Sequence, residues 1–243
     1  MNKLTSWISD STRCKYKVSK NKVNWTDYSY VILASIISSC GFLSDSETVV
    51  IGSMLISPLL KPIINLAISF VKNETDAIFS NIIYAGQMII LCSLCSYIVG
   101  SIFAIFYPNK VKDFKKALTK SKDNNKVVKY NTILSRNVLS YVENDAINMK
   151  LYIIILIAIC GGILLALTNC IEGDLTTVII GAGISTSILP PIVAGSIWAS
   201  FEKIGDLIKF EKDKVEAIIS GIGLGLLNIA LIFSSFFCTL FLI

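Results

Sequence analysis

Long apolar stretches alternate with short polar ones along the whole chain. Six segments stand out: Asp27–Ser44, Thr48–Val71, Ser80–Tyr107, Leu151–Asn169, Thr176–Ser200 and Ala217–Ile243. A straight helix needs about 20 residues to cross a hydrocarbon core of about 30 Å, and each segment is near or above that length. In lipid the backbone must satisfy its own hydrogen bonds, so the pattern predicts helices, or pieces of helix, packed against one another. The predicted fold class is an all-α polytopic membrane protein. Trp25, Tyr28 and Tyr30 stand where an interfacial aromatic belt would begin, and Tyr107 and Tyr152 frame the polar stretch between the third and fourth segments.

The second and fifth segments repeat one another. Asp45–Pro62 (DSETVVIGSMLISPLLKP) aligns without a gap on Asp174–Pro191 (DLTTVIIGAGISTSILPP), with 7 of 18 positions identical at an offset of 129. The shared Asp, Gly and Pro carry more weight than the shared Val and Ile. Each element is the second in a set of three segments, which divides the chain into four parts. These are a basic cytoplasmic-type tail (1–26), a first membrane repeat (27–107), a basic central loop (108–150) and a second membrane repeat (151–243).

Proline breaks both repeated elements. It lacks a backbone donor and clashes with the preceding turn, so the helix from Thr48 is expected to end near Ser57 and a second piece to start at Pro62. The helix from Thr176 is expected to end near Ser185, with its second piece starting at Pro191. Proline suits the first position of a helix, so each second piece would present a positively polarised amino-terminal end inside the bilayer. Duplicated halves with interrupted helices at matching positions predict a binding site of the transporter kind. Its candidate lining is Gly52, Ser57, Lys61, Pro62, Gly181, Ser185, Ser187 and Pro191. The glycines would admit close backbones, and the serines would satisfy freed polar groups. Lys61 is the only charged residue between Thr48 and Val71. It is a candidate anion-balancing group, or a side chain that snorkels to an interface. Asp45 and Asp174 fit helix N-caps.

Basic residues bear on orientation. Of 22 Lys+Arg, ten lie in the central loop. If all six segments cross, one face carries seven and the other fourteen; if the second and fifth are re-entrant hairpins, the division is sixteen against five. The hairpin arrangement has the stronger asymmetry, and both put the central loop on the cytoplasmic-type face. Six crossings would make the halves inverted repeats, and four would make them parallel ones. Within the loop, Val127, Tyr130, Leu134, Val138 and Tyr141 recur at helical spacing. They predict an amphipathic helix on the membrane surface or against the bundle.

Composition narrows the chemistry. The 243 residues are 53% hydrophobic and only 16% charged, which excludes an ordinary water-soluble globule. There is no histidine, so no Ser-His-Asp or Cys-His system and no His-liganded metal can be built. The seven cysteines are scattered through apolar stretches, and Cys92 and Cys95 read as small apolar side chains facing a neighbouring helix. No enzyme activity, cofactor or metal is expected. The net charge of +5 flanks membrane segments, which points to anionic lipid at the basic loops and away from nucleic acid. A homo-oligomer is a further candidate partnership.

The stretch VVIGSMLISPLLKPI resembles the IGAMLISPLMGPI-type signature of the membrane family catalogued as domain of unknown function 389. The later run from ILSRNVLSYVENDAINMK through TTVIIGAGISTSILPPIVAGSIWAS is similar to that family's second half. The resemblance covers about Tyr30–Ile243. Lys61 departs from the small residue usual before Pro62, and the second motif reads ISTSILPP. The resemblance implies the membrane architecture and names no substrate. The residues themselves predict a transporter or channel for a small solute or ion. The alternative is a membrane scaffold recruiting anionic lipid or a protein through the basic tail and loop.

Overall fold

The computed structural model describes residues 25–119, 133–134, 152, 155–166, 188–205 and 212–242. Every described element is helical: α1 (Trp25–Leu43), α2 (Glu47–Ile56), α3 (Leu60–Val71), α4 (Thr75–Phe106), α5 (Pro108–Thr119), α6 (Ile155–Ala166), α7 (Leu189–Gly205) and α8 (Lys212–Leu242). Three of them are long and apolar enough to cross a membrane (α1, α4 and, over Gly221–Leu240, α8), or four if the bent pair α2–α3 counts as one span.

The long helix α4 shows how sequence divides between core and surroundings. Ala77, Asn81, Tyr84, Met88, Cys92, Ser96, Gly100 and Ala104 recur every three or four residues and are buried. Most are small, which lets helices approach closely where no water drives them together. The opposite stripe, including Phe79, Ile90, Leu94, Ile98, Ile102 and Phe106, is exposed. A continuous apolar face of this extent suits lipid and not water. Cys92 takes its expected place on the packed face.

Side-chain pairings give the directions of the helices. Asp27 meets Tyr84, Tyr28 meets Gln87 and Ser35 meets Cys92, so α1 and α4 run the same way. Asn81 donates to Ser69 Oγ at 3.0 Å, which places the end of α3 beside the beginning of α4, antiparallel to it. Gly221 lies against Gly195 and Pro191, and Gly225 against Ile192 and Ile188, so α8 runs antiparallel to α7. Further along α8, Phe233 and Phe237 reach Phe70 at the end of α3. Ile197 and Ser200 of α7 sit at Gly100 of α4, and Phe201 is near Phe103. These registers agree only if α7 runs parallel to α4. Helices α3 and α7, each with a proline at its third position, therefore point in opposite directions.

α7 is the centre of the bundle. It packs on α4, α8, α1 and α2, and from Leu189 to Phe201 every side chain is buried except the half-buried Ala199. Glycine makes room for it. A Cβ on Gly221 would fall 2.9 Å from Gly195 Cα and Pro191 O, and one on Gly100 would collide with the Ser200 side chain. The central loop is not a uniform tether. It opens with α5, whose Val111 and Phe114 are buried while Lys110 and Lys112 are exposed. At 133–134 it returns to the core with Leu134 fully buried, while the rest of the expected amphipathic stripe lies outside the described residues.

Candidate functional site

The first break falls where proline requires it. α2 ends at Ile56, Ser57 adopts an extended conformation, and α3 begins at Leu60, bent 44° from α2. The restart is two residues earlier than expected. Pro62 is the third residue of α3, and the first four N–H groups of a helix have no intrahelical partner, so its missing donor costs nothing there. The Lys61 N–H still reaches Pro58 O at 3.1 Å. α7 likewise begins at Leu189 with Pro191 third, and residues 167–187 lie outside the described residues. Leu60 and Leu189 are the residues that the 129-residue offset pairs. Gly181, Ser185 and Ser187, with the expected helix from Thr176, lie outside the described residues.

The two starts also share a depth. Counting back along α3 from Ser69, level with Asn81, places Leu60 about 14 Å along α4, near its residue 90. Counting back along α7 from Ile197–Ser200, level with Gly100, brings Leu189 to about the same point. That level is the middle of α4.

Buried polar groups lie at this level and beyond it. Ser57 Oγ, Ser38 Oγ and Trp198 Nε1 are buried with no hydrogen-bond partner among the described residues, while Ser96 Oγ has the Cys92 thiol beside it. By register Ser57 lies near the level of the two helix starts, Ser38 about 8 Å further along, and Trp198 about 14 Å beyond Leu189. Leaving such groups unpaired costs about 1–3 kcal/mol each. Neighbouring hydroxyls are satisfied locally: Ser35, Ser39, Ser53, Ser196 and Ser200 each donate to a carbonyl three or four residues back.

Gly52 does not serve close packing. An added Cβ there would meet nothing within 4 Å, and among the described residues the glycines with close neighbours are Gly41, Gly100, Gly162, Gly221 and Gly225. Pro62 and Pro191 are both buried.

Lys61 is paired. Its Nζ donates to Asp27 Oδ2 at 2.8 Å, and Tyr84 Oη donates to the same oxygen at 2.8 Å. Beside them Tyr28 Oη donates to Gln87 Oε1 at 2.6 Å. Sequence reading isolated Lys61 but passed over Asp27 as the edge of an apolar segment. The available signal was the opposite charge near the start of the preceding segment. Asp45 is likewise not an N-cap. Ser46 holds that position, while Asp45 has φ 56° and accepts the Ile133 N–H at 2.6 Å. Asp174 lies outside the described residues.

Residues 54–241 match the family described as Domain of unknown function (DUF389). No curated protein and no solved structure matches the chain.

Proposed function

The chain belongs to the DUF389 family, and on that footing we propose that it is a non-enzymatic transporter or channel for a small polar solute or ion. One observation carries this reading. Two helices with a proline at the third position begin at the same depth and point in opposite directions, with the buried, unpartnered Ser57 hydroxyl beside the first start. Helix starts of this kind attract partial negative charge, and orphaned donors need an acceptor. Ser57, beside the first break, is the residue best placed to contact a solute.

The same geometry supports six crossings over the hairpin arrangement favoured by charge counting. A re-entrant hairpin reverses direction, whereas a 44° bend continues it. With α3 and α7 antiparallel, the halves read as inverted repeats, each centred on its broken span. Cysteines placed singly at Asn2, Asn73 and Asn124 test this by sided labelling. Six crossings expects Asn2 and Asn73 on one side and Asn124 on the other; co-labelling of Asn2 with Asn124 would return the hairpins. Transport itself is tested by flux into liposomes across a panel of small anions, cations and neutral polar solutes. Absence of flux for the whole panel, from correctly folded protein, counts against the reading.

The scaffold reading retains one specific support, the basic helix α5, held by Val111 and Phe114 with Lys110 and Lys112 outward. It expects that neutralising Lys112, Lys115 and Lys116 abolishes function while Ser57→Ala is silent; transport expects the reverse.

A further inference from the structure

We infer that the Asp27 carboxylate, with Tyr84 and Tyr28, forms a seat for a primary ammonium group, which Lys61 occupies from within the chain. The acceptor is preformed. The Asp27 side chain is 11% exposed, whereas that of Lys61 is 41% exposed. One oxygen of Asp27 takes both the ammonium and the Tyr84 hydroxyl. The rings of Tyr28 and Tyr84 meet edge to face at 5.9 Å, and Trp25 lies 6.4 Å from Tyr28. The carboxylate supplies charge and hydrogen-bond acceptance to an ammonium, and the Tyr84 hydroxyl holds that carboxylate in place. A bare metal cation would find too few oxygens there.

Lys61 is not in the seat because helix α3 favours it. It is the second residue of α3, where the polarised amino-terminal end repels a cation. The carboxylate holds it against that field. Its side chain is the less enclosed of the pair, 41% against 11%, so it is the partner that can turn aside and leave Asp27 and Tyr84 to another ammonium. Trp25, 81% exposed, marks the side from which the seat is reached. The ligand is a primary ammonium, either on a small free amine or on a lipid headgroup. The inference holds whether or not the chain moves a solute.

The test uses thermal unfolding of the full chain in phosphatidylglycerol nanodiscs, which carry no ammonium. Lys61→Ala empties the seat and lowers the midpoint. Ethylammonium restores about 2–4 °C of it where equal sodium does not. Nanodiscs doped with phosphatidylethanolamine, without ethylammonium, report the lipid source in the same variant. Because the tether gives Lys61 an effective concentration on the order of millimolar or above, wild type needs at least about tenfold more ethylammonium for any response. The double variant Asp27→Asn/Lys61→Ala carries neither charge and must lose the rescue. Lys61→Met, which keeps the aliphatic stem, replaces Lys61→Ala should that variant fail to fold. Rescue by neither source of ammonium, or rescue that persists without Asp27, overturns the inference.

Discussion

Helices α3 and α7 begin at paired residues and share a proline at the third position, yet they live in different surroundings. α3 carries Lys61 in its first turn, paired to Asp27, and ends with Phe70 exposed. α7 carries the buried Pro190 where α3 has Lys61, and nearly every side chain of its first four turns is enclosed. Both helices are mostly buried, but the same local signal yields a charge-bearing first turn in one half and an apolar, fully enclosed one in the other. Proline dictates where a helix must restart. What surrounds the restart is decided by neighbours, and here by glycines on α4 and α8.

The largest expected effect lies on the α7 side. Gly221→Leu must push against Gly195 and Pro191 backbone atoms at 2.9 Å, and backbone cannot move aside as a side chain can. A loss above about 3 kcal/mol, seen as unfolding or aggregation in detergent, is expected. Gly52→Ala on α2 puts its Cβ where nothing lies within 4 Å and should not lower thermal stability. If Gly221→Ala were tolerated as well as Gly52→Ala, the distinction between the two glycines would disappear.

Next comes the charge pair on the α3 side. Removing Lys61 strands the more deeply buried carboxylate, whereas removing the Asp27 charge strands an ammonium on the less enclosed side chain. Lys61→Ala should therefore cost more than Asp27→Asn, by about 1–3 kcal/mol after allowance for exposure. The double variant should recover most of the loss. A double-mutant cycle on thermal midpoints measures this, and a larger cost for Asp27→Asn would reverse the assignment of the buried partner.

These contrasts explain what could be read from the chain beforehand. Apolar length foretold α1, α4 and α8, and proline foretold the ends of α2 and the presence of α3 and α7, because both signals are local. The restart at Leu60 was missed by two residues because a helix can begin before its proline once the first N–H groups are discounted. The partner of Lys61 lies 34 residues away in sequence, a distance at which charge complementarity is only one of many pairings. Gly52 and Gly221 look alike in sequence, since a glycine records that a side chain is absent and not what fills the space. Ser57 was legible as a candidate because it precedes a proline. Ser38 and Trp198 were not, because their place relative to the helix starts depends on the registers of several helices.

A smaller effect belongs to the turn between α1 and α2. Asp45 combines a left-handed backbone with a carboxylate that accepts the Ile133 N–H. Asp45→Asn keeps both the tolerance for positive φ and an acceptor, and should be near neutral. Asp45→Ala loses both and should cost about 1–2 kcal/mol. It should also expose the central loop to limited proteolysis, because that bond ties residue 133 to the bundle.

The smallest change in stability is the most informative about function. An orphaned donor that binds nothing is a cost without return, so its removal should leave stability unchanged or improve it. Trp198→Phe keeps the ring's packing against Phe201, 5.8 Å away, and deletes only the unpartnered N–H. Ser38→Ala deletes a hydroxyl of the same kind. Each should raise stability by at most about 1 kcal/mol. If a solute passes the helix starts and continues along α7, the same two substitutions should lower flux while the protein becomes no less stable, because a site tuned for a passing ligand is unsatisfied when empty. Loss of stability in both variants would mean that these groups are paired in the membrane by something fixed, such as buried water. The region around the helix starts would then be ordinary packing, and the contrast between α3 and α7 would be one of structure alone.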